Sequence, residues 1–240
     1  MSVCFISDLH LDAGRPEATD AFIRFLRGPA LKLERLYILG DLFEYWIGDD
    51  DPNPHNRMVT QALQTYTQQQ PRSYFMPGNR DFMIGLDFMR ETGLQPLDDP
   101  CIVDVHGTPV LISHGDIYCT DDTAYQRFRR FSHNPVILML YRALPFSLRR
   151  RLVDKARDES RAQKEHKTAE IMDVNQQAVE SSMRDFGVAT LLHGHTHRAG
   201  EHQFALDGQT ATRIVLGDWY DSGPVLYWDA RGRRTDILSY

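Results

Sequence analysis

Seven side chains stand out by type and setting: Asp8, His10, Asp41, Asn79, His114, His195 and His197. They offer carboxylate, amide and imidazole donors and no thiolate, a set suited to manganese, iron or zinc. Seven donors exceed what one tetrahedral ion takes. Two ions about 3.5–4 Å apart, bridged by one carboxylate, would use all of them. Asp41 falls between the other clusters in chain order and is the candidate bridge. The spacings Asp8-x-His10 and His195-x-His197 place alternate side chains of an extended chain on one side.

Ordinary readings compete for the remaining polar residues. Asp81 and Asp116 are as readily turn formers or caps as ligands. His55, His106, His133, His166, His193 and His202 read as core or surface histidines, His193 because it faces away from His195 in an extended chain.

The donors follow short apolar runs. Strands are expected at Val3–Ser7, Leu36–Leu39, Tyr74–Met76, Val110–Ser113 and Thr190–Leu192, each ending in one polar cluster. In open α/β sheets such strand ends share a crevice where ligands bind. Helices are expected at Pro16–Arg27, Pro54–Gln70 and Phe82–Thr92 between them. Alternating strand and helix predicts a mostly parallel sheet covered by helices. Further strands at Thr212–Leu216, Val225–Trp228 and Thr235–Leu238 suggest a second sheet formed by the tail, hence a layered sandwich.

Residues 121–186 break the alternation and read as a helical insertion, or lid, between core segments 1–120 and 187–240. Its expected helices are Asp122–Ser132, Val136–Ala143, Ser147–Ala156 and Ser160–Phe186. Apolar residues such as Val136, Ile137, Leu138, Met139, Leu140 and Tyr141 lie beside Arg142, Arg149, Arg150, Arg151, Lys155 and Arg157. From Arg127 to Lys167 there are 12 Lys and Arg against 4 Asp and Glu, a local excess of +8 within a chain of net charge −6. An acidic body with one basic segment does not resemble a nucleic-acid binder. It suits a metal-binding body with a separate anionic-ligand or membrane-facing part, attached reversibly through basic and apolar side chains.

The chain has 240 residues, 42% of them hydrophobic and 25% charged, which is ordinary globular usage. Three cysteines, Cys4, Cys101 and Cys119, without C-x-x-C spacing argue for a reducing compartment and against a disulfide framework or zinc finger. Asp8 and His10 interrupt the first apolar run, so a signal peptide is not expected. Val136–Tyr141 is far short of a membrane span. A cytoplasmic protein is expected.

The clusters Asp8-x-His10, Gly40-Asp41, Gly78-Asn79, His114 and Gly194-His195-x-His197 resemble the calcineurin-like metallophosphoesterase signature. That resemblance implies an α/β fold, a four-layer α/β/β/α sandwich, around a dinuclear centre. Asp8, His10, Asp41 and His197 would hold one ion, and Asp41, Asn79, His114 and His195 the other. In the usual motif a His acting as general acid follows the Asn; here Arg80 stands there. Arg80 keeps its proton at working pH but can clamp phosphate oxygens bidentately. A leaving group that departs without protonation, such as a phosphate within a diphosphate, fits that replacement.

The block Gly40-Asp41-Leu42-Phe43-Glu44-Tyr45-Trp46-Ile47-Gly48-Asp49-Asp50, with Gly78-Asn79-Arg80-Asp81-Phe82 and Ser113-His114-Gly115-Asp116, resembles one branch of that family, the UDP-2,3-diacylglucosamine diphosphatases of lipid A biosynthesis. This implies a lipid-linked UDP-sugar substrate, two Mn²⁺ per chain, attack by metal-activated water on the α-phosphorus, and release of UMP and 2,3-diacylglucosamine 1-phosphate. It implies catalytic roles for Asp41, Asn79, Arg80 and His195, and substrate contacts by Asn79, Arg80, Asp122, Ser160, Lys164, Lys167 and His195. The expected location is the cytoplasmic face of the inner membrane, with the basic, apolar lid meeting an anionic surface and no obligate protein or nucleic-acid partner. Two other readings share the metal site. One is a phosphodiesterase or phosphomonoesterase for soluble nucleotides or phosphoproteins, which needs no apolar lid. The other is a non-catalytic scaffold, which would have lost donors.

Overall fold

Val3 and Phe5 point to one side of the first strand, Cys4 and Ile6 to the other, and all four are buried. A strand with two buried faces needs a layer on each, and the chain supplies both. The computed structural model describes residues 2–164 and 173–240, with side chains for 2–156 and 173–240. In order, the elements are β1 (Val3–Ile6), α1 (Pro16–Arg27), β2 (Arg35–Leu39), α2 (Pro54–Thr67), β3 (Ser73–Met76), α3 (Leu86–Thr92), β4 (Gln95–Pro96), β5 (Cys101–Val105) and β6 (Thr108–Ser113). There follow α4 (Thr123–Ser132), α5 (Pro135–Arg142), α6 (Phe146–Lys164) and α7 (Gln176–Phe186), then β7 (Thr190–His193), β8 (Gly200–Leu206), β9 (Gln209–Val215), β10 (Gly223–Asp229) and β11 (Gly232–Leu238).

Two sheets result. The first has the order β11-β10-β1-β2-β3-β4, the second β5-β6-β7-β9-β8. Strands β1 to β4 run parallel, as do β6, β7 and β9. Between the sheets lie Val3, Phe5, Tyr37 and Leu39 against Val110, Ile112 and Leu192. The outer face of the first sheet, with Ile6, Ile38 and Phe75, is covered by Phe22 and Phe25 of α1, Leu63 of α2 and Phe88 of α3. On the outer face of the second, Val179 and Met183 of α7 cover Leu111, Leu191 and Ala211. The four layers are therefore α/β/β/α.

Several expectations need correction. The tail does not form the second sheet by itself: β10 pairs antiparallel with β1 in the first sheet, while β6 and β7 lie in the second. Strands β4, β5 and β8 had no expected counterpart; β4 has two residues, β5 is a short edge strand interrupted by Asp104, and β8 is an edge strand of mostly exposed, polar residues. The helix expected from Phe82 starts at Leu86, because residues 79–83 form a turn. Asp49, from another loop, accepts the N–H groups of Gly85, Asp87 and Phe88 and so sets that start. The continuous helix expected over Ser160–Phe186 is interrupted. α6 runs from Phe146 to Lys164 without a break near Ala156, and residues 173–175 are not helical. Asn175 then caps α7 by accepting the Ala178 N–H at 3.1 Å. Its buried apolar side places α7 in the core sandwich, although it falls within the expected insertion.

The remaining insertion helices, α4 to α6, are fastened to the core at two places. Arg129 of α4 donates to Asp116 at 2.7 Å. Arg149 of α6, 3% exposed, donates to the Ile47 carbonyl at 3.2 Å and pairs with Asp50, while the Tyr141 hydroxyl donates to the same carbonyl. Phe128, Phe131, Val136, Met139, Leu140, Leu148 and Leu152 of these helices are exposed. No helix among the described residues is long and apolar enough to cross a membrane.

Candidate metal centre

Beyond β1 the chain leaves the extended conformation. Asp8, His10, Asp41, His195 and His197 all have left-handed φ, between 48° and 70°. The period-two geometry expected for Asp8-x-His10 and His195-x-His197 is therefore not how these pairs meet. Sharp left-handed turns at the strand ends aim them inward. Each such residue costs on the order of 1–3 kcal/mol unless its surroundings hold it. Here they do. Asp8 N–H donates to Gly40 O at 3.1 Å and His10 N–H to Asp41 O at 2.9 Å. Close approach also requires glycine at two places. A Cβ on Gly78 would lie 2.3 Å from Asp41 Oδ1, and one on Gly194 would lie 2.3 Å from Asp8 Oδ2.

Two groups of donors converge among the described residues: Asp8, His10 and His197, and Asp8, Asp41 and His114. Asp8 uses Oδ2 for structure, accepting from Ser7 Oγ at 2.6 Å and His195 N at 2.9 Å. Its Oδ1 is buried without a hydrogen-bond partner and lies 3.4 Å from His197 Nε2. His10 Nε2 and His197 Nε2 face each other at 3.1 Å. Asp41 sits between the groups, Oδ2 3.8 Å from His10 Nε2 and Oδ1 3.7 Å from His114 Nε2. Asn79 Oδ1 lies 3.0 Å from His114 Nε2 and 2.7 Å from His195 Nδ1. All seven sequence-derived donors thus meet at one place.

The chemistry of these contacts fits a cation pair. His114 donates Nδ1–H to Leu39 O at 2.9 Å, which leaves Nε2 as a lone pair aimed at the Asn79 oxygen. His10 Nδ1 faces Glu44 Oε2 at 3.3 Å, and His197 Nδ1 faces Asp218 Oδ2 at 3.5 Å. Metal-binding histidines characteristically have their second nitrogen oriented by such acceptors. Inward-facing lone pairs and an orphaned carboxylate oxygen need positive charge among them. With protons alone, burial would lower the His114 pKa, yet Asp41 and Asp8 overcome it and push it up to about 10. Burial likewise opposes ionisation of Asp8, but His197 and His114 hold it well below the carboxylate range. Burial and His114 press His195 down to about 3.

Asp81 resolves as a structural anchor. Its carboxylate accepts from Gly78 N at 2.7 Å, Leu42 N at 2.7 Å and Asp41 N at 3.3 Å, tying the β2 and β3 loops together. Asp116 binds Arg129 and the Tyr125 hydroxyl, and Tyr125 in turn stacks over His195 with ring centroids 6.1 Å apart. Arg80 reaches Glu44 Oε1 at 3.4 Å. Glu44 therefore spans His10 and the arginine, a position unmarked by its place in the sequence. Tyr220, whose ring stacks on His10 at 5.2 Å, was equally unmarked. Asp122 accepts Tyr125 N–H at 3.0 Å as the α4 N-cap. The side chains of Ser160 and Lys164, and all of His166 and Lys167, lie outside the described residues. His193 is buried with Nδ1 2.8 Å from Gly194 O, and His55 and His133 meet Thr19 and Phe82.

Comparison with known proteins agrees with this geometry. The calcineurin-like phosphoesterase family profile matches residues 1–199. The chain is 51% identical over 234 residues to the UDP-2,3-diacylglucosamine hydrolase of Pseudomonas aeruginosa, covering 98% of each chain. It is 46% identical over 232 residues to the protein of that name from Vibrio vulnificus, covering 97% of this chain and 96% of the relative. Among solved structures it resembles an archaeal phosphodiesterase with TM-score 0.51 and 13% identity, covering 99% of this chain and 100% of that one, a likeness of fold.

Proposed function

The chain belongs to the calcineurin-like phosphoesterase family, and on that premise we propose that it hydrolyses the diphosphate of UDP-2,3-diacylglucosamine, releasing UMP and 2,3-diacylglucosamine 1-phosphate. The observation that carries the reaction class is the convergence of carboxylate, amide and imidazole donors around Asp41. Near full-length similarity to proteins named for that substrate supports its identity.

Asp8, His10, Asp41 and His197 would hold one divalent ion, and Asp41, Asn79, His114 and His195 the other. When bound, such ions lower the pKa of water, polarise phosphoryl oxygens and neutralise developing charge. Mn²⁺ suits the oxygen and imidazole donors. Arg80, directed by Glu44, clamps phosphate oxygens and gives up no proton. A phosphate leaving group makes that sufficient. His195 sits under Tyr125 and is assigned to the phosphoryl group. Asp122 and the chain around Ser160, Lys164 and Lys167 are assigned to the sugar and its phosphate.

The exposed apolar side chains of α4–α6 suit acyl chains, and their arginines suit anionic headgroups. We place α4–α6 as the lipid-facing segment, docked reversibly on the cytoplasmic face of the inner membrane. Each basic residue near an anionic surface adds about 1 kcal/mol.

The test compares hydrolysis of UDP-2,3-diacylglucosamine with that of bis-p-nitrophenyl phosphate by the Mn²⁺-loaded protein. A strong preference for the former is expected; equal turnover would point to a general phosphodiesterase. In ¹⁸O water, label should enter UMP, and label in the sugar phosphate would contradict attack on the α-phosphorus. Sedimentation with anionic, but not neutral, vesicles is the expected mark of the docked lid.

A further inference from the structure

The outer face of the second sheet holds a charge that the metal chemistry does not use. Arg213 of β9 is 9% exposed, and no carboxylate oxygen lies within ion-pair distance of it among the described residues. Its Nε is buried with no hydrogen-bond partner, and its nearest polar contact is His193 Nε2 at 3.5 Å from Nη1. Burying an unpaired cation is costly, and folds rarely keep one without a counter-charge. Arg213 borders a cavity of about 260 Å³, also lined by Asp173, Thr196, Arg198 and His202. Asp173 is the carboxylate in that lining, and it is already engaged by Arg198 Nη1 at 2.5 Å and by Val174 N–H at 2.8 Å. Burial lowers the Arg213 pKa, and Asp173 only partly offsets this.

The same cavity reaches the metal loop. Thr196 lies between the ligands His195 and His197, and its Oγ1 is buried with no partner. The lining thus joins an uncompensated guanidinium, a second guanidinium and a free hydroxyl donor. Arg213 Nε and Thr196 Oγ1 are buried without an acceptor, and such groups commonly mark the place of an ion.

We propose that this cavity is an oxyanion site of the phosphate class, with Arg213 as its principal contact and Thr196 and Arg198 completing it. An anion there ties the loop between His195 and His197 to β9 and so supports their left-handed backbone. The site is separate from the metal pair and does not depend on the identity of the substrate.

Calorimetric titration of the Mn²⁺-loaded protein with inorganic phosphate, at constant ionic strength in chloride, tests this. Arg213→Gln should weaken binding at least tenfold, while Asn79→Ala, which damages the metal centre, should leave an Arg213-dependent phosphate site within about threefold of wild type. Loss of all phosphate binding in Asn79→Ala, no change in Arg213→Gln, or no binding by the wild type would each overturn the proposal. Should Arg213→Gln fail to fold, Thr196→Val carries the same test, with weakening expected and an unchanged affinity counting against the site. A parallel titration with UMP separates free phosphate from the phosphate of a nucleotide: Arg213-dependent binding of UMP at least tenfold tighter than that of phosphate assigns the latter.

Discussion

Asn79 Oδ1 lies 2.7 Å from His195 Nδ1. An amide oxygen can only accept, so this contact, like the one to His114 on its other side, closes with either a proton or a cation. A cation stabilises the folded chain alone, because the donors come from distant loops that only folding assembles. Ligand at 100 times its dissociation constant stabilises by about 2.7 kcal/mol. For a chain of this size that is roughly 5–10 °C. Removing divalent ions with a chelator should lower the thermal midpoint by that amount, and added Mn²⁺ should restore it. An unchanged midpoint on chelation would argue against a resident metal.

Asp41 faces His10 through one oxygen and His114 through the other. Asp41→Asn keeps the shape and removes the charge. It should cut turnover by roughly three orders of magnitude or more, since the chemistry needs both ions. Metal analysis of the purified variant should show less than the wild-type stoichiometry.

Glu44 faces His10 Nδ1 at 3.3 Å with one oxygen and Arg80 Nη1 at 3.4 Å with the other. Loss of an outer-shell partner of a metal histidine typically costs about 10–100-fold in metal affinity or activity. Glu44→Gln should fall in that range and raise both the Mn²⁺ requirement and KM. A change in neither would make the contacts incidental.

Asp81 accepts four buried backbone N–H groups from two loops. Leaving buried donors unsatisfied costs about 1–3 kcal/mol each when water cannot reach them. Asp81→Ala should destabilise the protein by about 3 kcal/mol in urea unfolding and also weaken metal binding, because Asp41 and Gly78 lose their common anchor. Asp81→Asn, which keeps an acceptor, should do less harm.

His133 is packed on Phe82 with ring centroids 4.8 Å apart, and its Nδ1 lies 3.0 Å from Arg129 O. Burial, and then the Arg129 guanidinium, hold its pKa below the ordinary value. The folded imidazole therefore binds its proton less readily than the unfolded one. Its stabilising contribution is complete above about pH 6.5 and is lost as pH falls below that, through the folded pKa. Thermal midpoints should drop between pH 7 and 5. His133→Phe, which keeps the stack, should drop less over the same interval; an identical slope would remove His133 as the cause.

The seven donors were legible because they are coordinating types clustered just beyond short apolar runs, several beside a glycine, and α1 was legible to its ends because Pro16 opens an apolar stripe of helical period. Such signals are local, so the residue types and their spacing determined an α/β chain with a helical stretch before its last strands and a set of donors that could meet in one place. The tertiary structure decided the rest. Which sheet received β6, β7 and β10 depends on pairing between residues far apart in sequence, as in Val3 with Trp228, and no local pattern encodes it. The left-handed turns at Asp8 and His195 are held by bonds from other loops. Glu44, Asp81 and Arg213 differ from any other charged side chain only in what surrounds them once the chain is folded, and burial is what converts an ordinary carboxylate or guanidinium into an anchor, an orienting group or a charge in need of a counter-ion.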